Sequence, residues 1–201
     1  MREFPEFPEV QSQALQELYE ITKEDKMARL AVEFTNGAIR QVVADLCDHN
    51  DDVDCVLWAA RCLRSCCIQN INNVNKACNI KTYDVGNALV TCMAQHTSLA
   101  TVQEACLGAV VVLTAESNQA REIIASEGGI RAVIQSVETY RLDLGVQEMG
   151  IKALNNLCQG IPANVREAVM GGASTAIVGL DLSLLHIPHL LFHCHHIVFT
   201  H

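Results

Sequence analysis

The chain has 201 residues, half of them hydrophobic but only 4% aromatic, and a formal net charge of −9 at pH 7. That charge argues against wrapping nucleic acid, which needs a basic face to release counterions, and it leaves basic partners open. With no Walker loop, Gly-x-Ser-x-Gly or His-Glu-x-x-His motif in the sequence, nothing in it points to an enzyme.

Residues 1–8 read as an N-terminal tail, acidic and without the apolar core of a signal peptide. From residue 9 the chain divides into four units, at about 9–52, 53–101, 102–145 and 146–180. The first carries Ala14 and Leu18, then Gly37; the second carries Ala59 and Leu63, then Gly86. The second is the most degenerate, because Asn70-Ile71-Asn72-Asn73-Val74-Asn75 replaces a cleaner turn. In the third, Val102-Gln103-Glu104-Ala105-Cys106-Leu107-Gly108-Ala109-Val110-Val111-Val112-Leu113 sets a sentence that returns in the fourth, 44 residues on, as Val146-Gln147-Glu148-Met149-Gly150-Ile151-Lys152-Ala153-Leu154-Asn155-Asn156-Leu157. Both copies are followed by Arg-Glu (Arg121-Glu122, Arg166-Glu167) and a glycine pair (Gly128-Gly129, Gly171-Gly172). A period in the forties marks a multi-helix unit that cannot bury its apolar face alone and must stack on copies of itself.

Within a unit the periodicity is helical. Val102, Ala105, Cys106, Ala109, Val110 and Leu113 fall at i, i+3, i+4, i+7, i+8 and i+11, a broad apolar face. No run sustains the alternation of a strand. A glycine between two short helices allows positive φ and a sharp turn. Each unit therefore holds a short helix, a glycine turn, a second helix and a longer third one.

Three helices, a glycine turn between the first two, and a third helix of the form Val-Gln-Glu-Ala-x-x-x-Ala-Val-x-x-Leu resemble the armadillo repeat, over roughly residues 9 to 180 and most strongly from 102 to 173. The two-helix HEAT solenoid is the nearest rival, and the glycine pairs favour armadillo. The resemblance implies an all-α, right-handed α-solenoid of about four armadillo-like, HEAT-related repeats. It also implies a concave groove, lined by the third helices, that holds extended peptides. A stripe at i, i+4, i+8 on each third helix would face that groove: Glu9, Gln13, Glu17; Asp54, Trp58, Cys62; Glu104, Gly108, Val112; Glu148, Lys152, Asn156. The first position is acidic every time. A carboxylate ladder would favour Lys- or Arg-rich ligands, and an exposed Trp58 could stack on a cation or an aliphatic stem; acids that merely complement helix dipoles explain the ladder about as well. Import receptors of the importin-α type pair Trp and Asn on each third helix. Here Trp58 lacks its Asn and Asn156 lacks its Trp, which argues against a dedicated import receptor. The basic groove of β-catenin-type proteins is not expected either.

Ten cysteines remain. Cys62, Cys66 and Cys67 cluster on one helix, and Cys106 and Cys158 fall at core-like positions, where free thiols act as small hydrophobes in a reducing compartment, the cytoplasm or nucleus. A metal pair at Cys62 and Cys66 lacks a second half with metal-site spacing. Residues 181–201 carry six of the eight histidines and admit three readings: zinc or copper held by His189, His193, Cys194 and His196; a membrane segment, interrupted by Pro188; or an aberrant end replacing the rest of the fourth repeat, which is favoured and would leave that repeat uncapped and prone to self-association. No cofactor is expected, and neither nucleic acid nor membrane is a partner. Glu148 and Lys152 read as a surface ion pair of small worth. The functional expectation is a protein–protein interaction scaffold binding an extended basic segment in the groove at Glu9, Gln13, Glu17, Asp54, Trp58, Glu104, Glu148, Lys152 and Asn156. The alternatives are a metal- or redox-responsive protein using the Cys and His clusters, or a positioning fragment of a larger multidomain protein.

Overall fold

Aspartate, asparagine or serine stands at the start of six helices and accepts a backbone N–H there: Asp25, Asp52, Asn70, Asp84, Ser117 and Asp143. Each such cap contributes about 1 kcal/mol. The computed structural model describes residues 7–178 and contains, in that span, twelve helices and no strand. They are α1 (Pro8–Thr22), α2 (Lys26–Phe34), α3 (Ala38–Asp48), α4 (Val53–Cys67), α5 (Ile71–Cys78), α6 (Val85–Gln95), α7 (Ala100–Thr114), α8 (Asn118–Ser126), α9 (Gly129–Thr139), α10 (Leu144–Cys158), α11 (Pro162–Met170) and α12 (Ala173–Val178). Residues 1–6 and 179–201 lie outside the described span, and with them most of the N-terminal tail and the readings made for the histidine-rich tail.

Four helices, α1, α4, α7 and α10, are each 15 residues long. They pack side by side in that order, with the shorter helices behind them. The result is an α-solenoid whose core runs continuously from Leu15 through Leu63, Leu107 and Leu113 to Leu154 and Leu157, all fully buried. Each of these leucines contributes about 1.5–3 kcal/mol of apolar burial. Polar bonds cross the seams: the Cys62 thiol donates to the Leu15 carbonyl (3.1 Å), and Thr22 and Ser65 share a buried hydroxyl–hydroxyl bond of 2.7 Å.

One device recurs at the end of every long helix. A side chain on the next helix reaches back to a carbonyl seven residues earlier: Arg29 to Thr22 (2.9 Å), Asn73 to Cys66 (2.8 Å), Arg121 to Thr114 (2.7 Å) and Asn164 to Leu157 (2.8 Å). Such bonds satisfy carbonyls that a helix end leaves without an internal partner. By this measure Arg121 matches Asn164. Arg166, which the sequence pairs with it, points to solvent.

The glycine turns are present at Gly37, Gly128 and Gly172, with φ of 79°, 86° and 90°. Gly86 is different. It lies inside α6, where a Cβ would come within 3.0 Å of Ile123, so it serves close helix packing. The second unit turns instead through residues 79–84. The register of the long helices also differs from the sequence alignment. Ala59 is seventh in α4, and the seventh residue of α7 is Cys106, three residues before Ala109. Alanine and leucine recur at nearly every turn of an aliphatic helix, so a slip of about one turn preserves the pattern.

Candidate functional site: the long-helix face

Packing leaves one stripe of each long helix accessible, and among the described residues α1 and α10 have a long-helix neighbour on one side only. On α1 the stripe includes Glu9, Gln13 and Glu17, all exposed; on α4, exposed Asp54 and half-buried Trp58; on α7, half-buried Glu104 and Val112; on α10, half-buried Glu148, Lys152 and Asn156. Cys62 and Gly108 are buried, and Arg61 takes the surface place that the spacing assigned to Cys62.

The carboxylates do not form one ladder. Glu9 and Asp54 are second in their helices, whereas Glu104 and Glu148 are fifth in theirs, about one turn further in. Glu148 is neutralised by Lys152 at 2.5 Å. Glu104 lies across Gly145 of the next long helix, where a Cβ would come 2.7 Å from its carboxyl carbon. The Asn156 amide donates to the Val111 carbonyl of α7 (3.0 Å), tying two long helices together.

Trp58 is not free in the sense expected of it. The Arg61 guanidinium sits 5.0 Å from its ring centroid, and the Tyr19 ring is 5.8 Å away at 48°. A cation over an indole face is held electrostatically by about 0.5–1 kcal/mol or more. Beside this stack a cleft of about 410 Å³ opens among Tyr19, Lys23, Arg61, Arg64, Thr101 and Glu104. The stem of Arg64 crosses Gly108, where a Cβ would meet its Cδ at 2.9 Å. Lys23 pairs with Glu20 at 2.6 Å, which raises its pKa above the usual value. Among the described residues no carboxylate forms an ion pair with Arg61 or Arg64. The sequence contained a signal for this cluster: Trp58, Arg61 and Ser65 share a helix face, with Arg64 beside it. Arg61 and Arg64 were not expected on this wall, and they change its charge pattern.

Chemistry elsewhere is sparse. The nine cysteines of the described span are unbridged, seven of them buried. Burial pushes the thiols of Cys47, Cys78 and Cys158 up to about 11 and that of Cys92 up to about 12, which keeps them protonated and unreactive. Among the described residues no cluster of His, Cys, Asp and Glu is arranged to hold a metal ion, and no helix is long and apolar enough to cross a membrane. One buried carboxyl stands out. Asp45 on α3 is pushed up to about 6 by burial, against the pull of the Gln41 amide on its Oδ1 (2.9 Å). Its Oδ2 has no hydrogen-bond partner.

No protein-family model and no curated protein matches the chain. Among solved structures it is similar to an engineered protein at 16% identity, with a TM-score of 0.52 over 96% of this chain and 90% of that one. It is also similar to a designed armadillo repeat protein at 13% identity, with a TM-score of 0.51 over 93% of this chain and 91% of that one. At such identities the likeness carries the fold alone, a helical-repeat solenoid.

Proposed function

We propose that the chain is an armadillo-type interaction scaffold, with repeats at about 9–52, 53–101, 102–145 and 146–180, that holds an extended segment of a partner protein along its long-helix face. The observation that carries this reading is the wall itself. Four equal helices stand side by side, bury their apolar flanks and present polar, aromatic and charged side chains on one continuous surface. The Trp58–Arg61 stack and Arg64 on its glycine seat are pre-organised, which lowers the entropy cost of gripping a ligand.

A uniformly basic ligand is not part of the reading, because the carboxylates stand at two levels and one is already paired. A segment of mixed charge suits this wall, with basic side chains at Glu9 and Asp54 and an acidic one at Arg61 and Arg64. The unbridged, mostly buried thiols support a reducing intracellular setting. The metal- or redox-responsive alternative gains no support from the described residues, and a catalytic role finds no assembled nucleophile, base or metal site among them.

The test is selection of displayed peptides on the full chain, followed by hydrogen-exchange mapping of those that bind. Protection should concentrate on α4 and α7, and Trp58→Ala combined with Arg64→Glu should weaken binding about tenfold. Peptides that protect α6 and α9 instead, or that ignore the double substitution, would overturn the reading.

A further inference from the structure

The second unit breaks the pattern of the others on a different edge of the molecule. Where units one and three turn from the first short helix to the second through a glycine, α5 and α6 are joined by the six residues Asn79-Ile80-Lys81-Thr82-Tyr83-Asp84. This loop is held at both ends of its span. Asn79 and Gln119 exchange side-chain bonds, the shorter at 3.1 Å, and the Tyr83 hydroxyl donates to Asp48 at 2.8 Å. Between the loop and the neighbouring turn at residues 35–37 lies a cleft of about 680 Å³.

Its lining combines two features that water does not favour together. Phe34, the last residue of α2, is 83% exposed on the lip, with buried Ile39 and half-buried Ile80 beside it. Around it stand Arg40, Lys76 and Lys81, all exposed. Glu33 also lines the cleft, so one negative charge stands among the three positive ones. Its carboxylate accepts from Asn70 (3.0 Å) and Asn72 (2.8 Å), which turns it toward α5, while Asp48 accepts from Tyr83 and Asp84 caps α6. Among the described residues no ion pair neutralises the three cations. Two are nonetheless positioned: Lys76 donates to the Glu33 carbonyl, and the Arg40 guanidinium sits 5.7 Å from the Tyr83 ring centroid. On a chain of net charge −9, a cationic rim around an exposed aromatic ring is an exception in need of a cause.

We infer that this cleft is a second docking surface, separate from the long-helix face, and that it takes an acidic stretch of a partner protein carrying an apolar side chain onto Phe34. The charge match supplies steering and orientation, and covering Phe34 and Ile80 supplies the apolar contact. Nothing in it depends on the long-helix face being a binding site.

Fluorescence anisotropy can measure the binding of short labelled peptides in which aspartates and glutamates flank a central Phe-Leu. Three controls accompany them: the amide version with Asn and Gln, the version with Lys, and a single-stranded DNA oligonucleotide of matched charge. The acidic peptide should bind best, and Arg40→Glu combined with Lys81→Glu should weaken it about tenfold. Phe34→Ala should weaken it several-fold, while Arg166→Glu, exposed on α11 and lining neither cleft, should leave it unchanged. All four substituted side chains are at or near the surface, so circular dichroism melts should coincide with the parent. Equal binding of the amide peptide, indifference to the double charge reversal, or tighter binding of the oligonucleotide would each overturn the proposal.

Discussion

The third unit and the first two solve the same geometric problems with different chemistry. Where the third uses Arg121 to close the preceding long helix, the second uses Asn73. Where the third places Gly129 against Ile124, the second has Gly86 against Ile123 and a loop before it. Eighth in α9 is Ser136, whose hydroxyl donates to Gln103 Oε1 at 2.5 Å; eighth in α3 is Asp45, a buried carboxyl with an unpartnered oxygen. Stacking geometry is thus preserved while the energy stored at equivalent points varies. A solenoid tolerates this because each unit answers only to its neighbours.

The largest separation is expected at the carbonyl clamps. Arg121 is buried and also bonds Ala115, Asn118 and Gln159. Arg121→Ala should cost about 3 kcal/mol in urea denaturation and Asn73→Ala about 1–2, since buried carbonyls lose their donors in both but more of them in the first. Equal losses would mean that the clamp and not its bond count sets the stability. Next come the glycines. A Cβ at residue 129 would lie 2.6 Å from the Ile124 carbonyl oxygen, against 3.0 Å from that of Ile123 at residue 86. Gly129→Ala should therefore destabilise by about 2–3 kcal/mol and Gly86→Ala by about 1; the reverse order in thermal melts would refute the packing account.

Asp45 gives a comparison that depends on pH. Its folded pKa is about 6, raised from the ordinary 3.8, so the folded state binds the proton more tightly than the unfolded one. The resulting penalty is absent below about pH 3.8, grows as pH rises to 6, and is complete above it. Asp45→Ser, which installs the residue of α9, should stabilise the chain by about 2 kcal/mol at pH 7 and flatten that slope. A parent whose stability does not fall between pH 4 and 6, once other groups are matched by the variant, would sink this. The smallest effect is expected at Gly108. The nearest atoms to the added methyl of Gly108→Ala all belong to the flexible side chain of Arg64, so the folding free energy should change by less than about 0.5 kcal/mol while Arg64 shifts. A larger loss would show the seat to be part of the core.

Much of the architecture was legible because apolar spacing and glycine placement report directly on helices and sharp turns. The sentence shared by α7 and α10 has one register in both, and Gly37, Gly128 and Gly172 adopt the positive φ that a glycine marker suggests. The second unit was less legible. Its glycine lies inside a helix, and its Ala-Leu pair matches α7 equally well a turn out of place. The site suffered from the same slip, since two pairs of acids at different levels looked like four at one. What Trp58 touches could be read only in part: its spacing from Arg61 puts the two on one helix face, but the rotamer that stacks them is not dictated by spacing, and Tyr19 reaches the ring from another helix.

The thiols distributed through this rod make its local openings countable. Cysteines occur on α3, α4, α5, α6, α7 and α10 and are missing from α1, α2, α8, α9, α11 and α12. An alkylating reagent would therefore stay silent at the seven buried thiols while the helices are closed and would leave a covalent mark wherever one of those helices peels away. Mass spectrometry of those marks would show, helix by helix, which end of the stack breathes first.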